Sequence, residues 1–100
     1  MTSDSIEPHT VVGPSAHVHA EFLDDQAVLY DVSNARPVLL NVSASAVWAA
    51  LDGTTSVEHI AALLATRFGA DPDTVLRDVT AAVRSFDELG LVIVVPPAPA

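Results

Sequence analysis

The chain has 100 residues, half of them hydrophobic, and a net charge of −9, with thirteen carboxylates set against four basic side chains, all of them arginine. That length supports one domain with a modest core, and the acidic balance argues against nucleic acid or anionic membrane as partners, because both are bound through Lys and Arg neutralising phosphate. The absence of cysteine removes disulfides, thiolate metal sites and thiol nucleophiles together.

Residues 1–15 lack periodicity and carry Pro8, Gly13 and Pro14, which predicts a flexible tail. The domain proper is then expected over residues 16–95, followed by a proline-rich tail, "PPAPA", over 96–100. The N-terminus has no basic or apolar signal-peptide segment, and no apolar run approaches the roughly 20 residues that span a bilayer, so the expected location is cytoplasmic.

From His17 the pattern alternates. In "HVHAEF", Val18, Ala20 and Phe22 share one face and His17, His19 and Glu21 the other, which predicts a half-buried strand. "LDDQ" supplies a turn, "AVLYDV" a second strand, "SNAR" a second turn and "PVLLNV" a third strand. The short connections predict an antiparallel meander. Pro37 lacks an amide donor, which places the third strand at a sheet edge. Edges are normally blunted by lysine, inward charge or a bulge; here Val38, Leu39 and Leu40 follow the proline unprotected.

At Ser43 the period shifts to about 3.6. Ser43 is the expected N-cap of a short helix that buries Val47, Trp48 and Leu51 and stops at Asp52-Gly53. Thr55 and Glu58 have capping-box spacing for a second helix, which buries Val57, Ile60, Leu63, Leu64 and Phe68 and ends at Gly69. Asp71 then caps a third helix with Pro72 in its first turn, and Val75, Leu76, Val79, Ala82, Val83, Phe86 and Leu89 form its apolar stripe up to Gly90. The resulting order, β-β-β-α-α-α, predicts an α+β fold of winged helix-turn-helix type. A DNA-binding regulator is the functional alternative that such a fold suggests. The third helix argues against it, carrying Asp73, Asp78, Asp87 and Glu88 beside only Arg77 and Arg84.

Leu40-Asn41, the small-residue helix with Trp48, "LDG", "TSVEHI", "FGADPDTVLRDV" and the closing "LGLV" together resemble the PqqD-type peptide chaperones, the stand-alone recognition elements for RiPP precursors (ribosomally synthesised, post-translationally modified peptides). The match runs over about residues 20–92, and it rests on the order of several weak motifs. The segment "AVLYDVSNARPVLLNVSASAVWAAL" is more similar to the leader-recognising subunit of lasso-peptide clusters than to PqqD itself.

The resemblance implies a non-enzymatic adaptor that takes the precursor's leader peptide as an added strand on the third strand, a case of β-augmentation. It implies delivery to a leader peptidase, or to a radical SAM enzyme in the PqqD-type alternative. The implied peptide-binding residues are Pro37, Val38, Leu39, Leu40 and Asn41 on the strand. On the third helix they are Leu76, Arg77, Val79, Thr80, Val83, Arg84, Phe86 and Asp87. Val38 and Leu40 are expected to form an apolar trough with Val79, Val83 and Phe86, with Leu39 and Asn41 facing the other way. Arg77 and Arg84 are expected to meet leader acids, and Asp78 and Asp87 leader Lys or Arg. Leu40→Asp and Val83→Asp are accordingly expected to weaken binding while the fold survives. The run "LVIVV" is left three roles: covering Leu39, adding a strand to the other edge of the sheet, or forming a homodimer.

No cofactor and no metal is expected. His17, His19 and Glu21 share a strand face, but a metal centre needs three or four fixed ligands with supporting partners, and this face points to solvent. No nucleophile–base spacing, phosphate loop or paired buried carboxylates can be placed, so no enzymatic activity is expected.

Overall fold

The computed structural model of the chain describes residues 6–32 and 37–96. Five strands and three helices follow in the order β1 (Val11–Pro14), β2 (Val18–Leu23), β3 (Gln26–Asp31), β4 (Pro37–Leu39), α1 (Val42–Ala50), α2 (Val57–Phe68), α3 (Pro72–Glu88) and β5 (Val92–Val95). The α+β architecture and the meander are as expected: β2, β3 and β4 form an antiparallel sheet in that order, with β4 at an edge. Asp24 takes the tight turn between β2 and β3 at φ 59°, a left-handed conformation that Asp tolerates better than most residues. The second predicted turn, residues 33–36, lies outside the described residues, as do residues 1–5 and 97–100.

The largest departure is at the N-terminus. Residues 6–15, expected as tail, are built into the fold. β1 pairs antiparallel with β5 in a separate two-stranded sheet, Val11 opposite Val95 and Pro14 opposite Val92. The "LVIVV" run therefore neither extends the three-stranded sheet nor covers Leu39. Ile6 and Val12 are fully buried. The carbonyls of Pro8 and Thr10 accept from the amides of Glu58 and Val57, two of the donors that the first turn of α2 would otherwise leave orphaned. Gly13 is required by proximity: a Cβ there would lie 3.0 Å from the Gly53 backbone, where the α1–α2 loop crosses β1.

Helix ends follow the expected chemistry with shifted residues. α1 is capped by Asn41, whose Oδ1 accepts from the Ala44 amide, two residues before the expected Ser43. α2 is capped by Ser56, which accepts from the His59 amide. The Thr55–Glu58 box does not form, because Thr55 is held by Asp52: both its amide and its hydroxyl donate to that carboxylate. Asp71 caps α3 as expected, accepting from the Thr74 amide and hydroxyl. Gly69 ends α2 in the left-handed conformation at φ 62°.

The core gathers Leu29, Leu40, Val47, Trp48, Val57, Ile60, Val79, Val83, Phe86 and Leu91 between the two sheets and the helices. Trp48 meets Phe86 edge-on, with ring centroids 5.3 Å apart. Leu63, Phe68 and Leu89, expected inside, are more than half exposed.

Candidate functional site

The free edge of β4 is defined by its register. Leu40 donates its amide to the Ala27 carbonyl at 2.9 Å, which makes Ala27–Leu40 a hydrogen-bonding position of the ladder. Antiparallel pairs alternate between bonded and non-bonded positions. Leu29–Val38 is therefore bonded, and Val28–Leu39 is not. The N–H and C=O of Leu39 consequently point away from β3, as does the C=O of Pro37. No described strand pairs with that side.

The inner side of the same strand end is held tightly. The Ser45 hydroxyl on α1 accepts the Ala27 amide at 2.7 Å. It also donates to the Leu40 carbonyl at 3.4 Å, which accepts from the Gln26 side chain as well, at 3.3 Å. α1 is thus bonded to β3 and to the residue following β4, fixing how far the open edge stands from α3.

Two adjoining depressions lie along that edge. One, of about 350 Å³, is lined by Leu39, Leu40, Asn41 and Ala44 on one side and by Ala81, Ala82, Ser85, Phe86 and Leu89 of α3 on the other. The second, of about 330 Å³, shares Asn41, Ala44, Ala81 and Ala82 and continues between α1, α2 and the start of α3 to Val47, Leu64, Phe68, Val75, Asp78 and Val79. Small residues make the shared floor and large apolar ones the ends. The exposed Leu39, Leu89 and Phe68 are explained by this furrow, since each stands on its wall.

The furrow differs from the expected trough. Val79 and Val83 are buried to 1% and 0% exposure, and Leu40 to 6%, so all three belong to the core first. Val38 packs against that core, half-buried. Leu39, expected to face away, is 67% exposed and is the strand's main contribution to the furrow. Asn41 lines both depressions, Phe86 forms a wall of one, and Pro37 is exposed at the strand's start.

Leu76, Arg77, Thr80 and Arg84 lie on the opposite flank of α3. They line a different depression against Ile6, Glu7 and Pro8, and the Arg84 guanidinium donates to the Ile6 carbonyl at 3.2 Å. Thr80 donates to the Leu76 carbonyl within the helix. Asp87 is half-buried and lines neither furrow depression. The apolar stripe is broad enough for one edge to meet the N-terminal segment and the other β4, so its two flanks have different neighbours.

Ala44, Ala81, Ser85 and Leu89 line the furrow without having been expected there. Their signal is a spacing: Asp78, Ala81, Ala82, Ser85 and Leu89 recur at three and four residues up one helix flank, and small residues in such a row permit close approach of another chain.

His17 Nε2 lies 3.7 Å from Asp31 Oδ2. Among the described residues no three His, Cys, Asp or Glu side chains gather as a metal site, and no helix is long and apolar enough to cross a membrane.

Comparison with known proteins gives a consistent family. The family model of coenzyme PQQ synthesis protein D (PqqD) matches residues 26–92. No curated protein sequence matches significantly. Among solved structures, the chain is similar to the PqqD truncation of Methylobacterium extorquens PqqCD, described as a functional, stand-alone RiPP recognition element. The TM-score is 0.78 and the identity 22%, covering 93% of this chain and 99% of that one. It is similar to TbiB1, solved with the TbiA(β) leader peptide, at TM-score 0.73 and 23% identity over 87% and 99% of the two chains. A lasso peptide synthetase B1 complexed with the leader peptide matches at TM-score 0.72 and 22% identity, over 82% and 96%.

Proposed function

The chain belongs to the PqqD family, and from that membership we propose that it is a RiPP recognition element. In this reading it binds the leader of a ribosomally made precursor as an antiparallel strand on β4, performs no chemistry itself, and presents the precursor to a processing enzyme. The single observation that carries the reading is the outward-pointing main chain of Leu39 beside the furrow. Two of the similar structures were solved with leader peptides, which supports the same assignment.

Magnitudes say where specificity must come from. β4 is three residues long and offers a partner three outward groups. Three backbone hydrogen bonds contribute about 1.5–4.5 kcal/mol net, whereas a micromolar complex needs about 8 kcal/mol. Leader side chains seated in the furrow must supply the larger share, after the cost of ordering a flexible peptide. Affinity is expected from micromolar to tens of nanomolar.

The processing enzyme in this reading is a separate leader peptidase, with a radical SAM peptide-modifying enzyme as the alternative. The test is a titration of ¹⁵N-labelled protein with leader peptides of candidate precursors from the same genome. Shifts should concentrate in residues 37–44 and 81–89, with slowed exchange of the Leu39 amide. Shifts confined to β2 would refute the groove assignment. Faster leader removal by a candidate leader peptidase from the same genome when the chain is added, lost with Leu39→Asp, tests the delivery step.

A further inference from the structure

The furrow carries a charge asymmetry that narrows the class of peptide it takes. Of the residues lining its two depressions, Asp78 is the sole charged one. It has no ion-pair partner among the described residues. Two of the chain's four arginines, Arg77 and Arg84, stand on the far flank of α3, and a third, Arg67, lies over the Phe68 ring at 5.3 Å from its centroid. The amino end of α1 borders the same cleft, but its Ala44 amide is already taken by Asn41.

The rest of that cleft is mainly apolar, lined by Phe68, Val75 and Ala82 among others, with Asn41 and Ser43 as its uncharged polar residues. An apolar channel with one carboxylate at its rim fits a side chain having a hydrocarbon stem and a cationic tip, which buries the stem and keeps the tip in water. Position along the peptide follows from direction. A strand antiparallel to β4 pairs its later residues with Pro37 and its earlier ones with Leu39, so the cleft beyond Asn41 receives residues upstream of the paired segment.

We infer that the bound peptide carries lysine or arginine upstream of its strand-forming residues, with the stem in the α1–α2–α3 cleft and the charged head at Asp78. This rests on the reading of the furrow as a peptide site and adds the chemistry of one anchor.

The test is selection of a displayed library of random 14-residue peptides on the wild-type chain, on Asp78→Asn and on Leu39→Asp. The expected result is binders that depend on Leu39 and are enriched in Lys or Arg upstream of an apolar segment, with the enrichment lost on Asp78→Asn. In a selected peptide, replacing that residue by glutamine should weaken binding roughly two- to fivefold on wild type at low salt. The change should be absent on Asp78→Asn and should shrink with salt. Leu39-dependent binders with no cationic preference, or with the same preference on Asp78→Asn, overturn this inference alone. A library yielding no Leu39-dependent binder overturns the peptide site and the inference together.

Discussion

Ser45 Oγ accepts the amide of Ala27 at 2.7 Å, joining α1 to β3 where the β3–β4 ladder ends. Both partners are buried, so the bond has no water to replace it. Ser45→Ala leaves a buried donor unsatisfied, which costs about 1–3 kcal/mol. Urea denaturation should show that loss, and peptide affinity should fall with it because the spacing between β4 and α3 loosens. A variant with wild-type stability would mean that Ala27 finds another acceptor.

Leu39 and Leu40 should respond in opposite ways to the same substitution. Leu39 is exposed on the furrow wall, so Leu39→Asp should leave thermal stability nearly unchanged and weaken peptide binding at least tenfold. Leu40 is buried, and an aspartate there places a charge in the core, which costs several kcal/mol. Val83→Asp should behave like Leu40→Asp. Both variants should unfold rather than bind weakly, contrary to the expectation drawn from the family resemblance. Circular dichroism melts beside binding isotherms separate the two classes.

The N-terminal segment is structural, and Ile6 is its anchor. Ile6→Ala should cost about 2–5 kcal/mol, the usual range for emptying a fully buried site. Deleting residues 1–14 removes β1 and exposes the Val57 and Glu58 amides, and should prevent cooperative folding. Were the segment a loose tail, both changes would leave the melting transition in place.

Asp52 makes a pH-dependent contribution to stability at the acid end. Hydrogen bonds from the Thr54 amide, then the Thr55 hydroxyl and amide, lower its pKa from 3.8 to about 2. Because the folded value lies below the unfolded one, its contribution is fully present above pH 3.8 and is lost as pH falls towards 2. Asp71 is shifted the same way, chiefly by the Thr74 amide. Asp52→Asn should therefore flatten the pH dependence of stability across that acid window and leave its shape at neutral pH unchanged. An unaltered acid profile would show that the Asp52–Thr55 bonds do not persist in solution.

The sequence alone determined the local elements: three strands by two-fold alternation, three helices by 3.6-residue periodicity, and an edge at Pro37, which has no amide to give to a ladder. These features depend on residues within a few positions of one another, and period and capping chemistry act over that range. Tertiary structure decided the rest. The pairing of residues 11–14 with 92–95 joins the two ends of the chain, and Pro8, Gly13 and Pro14 read locally as breakers because their partners lie so far away. The flank of α3 that faces β4 was likewise undetermined, since periodicity reports that Val79 and Val83 share a stripe with Ala82 and Leu89 but not where packing closes over the stripe and where it leaves a gap. That gap arises where Ala44, Ala81 and Ala82 oppose one another. Its position depends on how far the Ser45 bond holds β4 from the helix, a distance that no local pattern encodes.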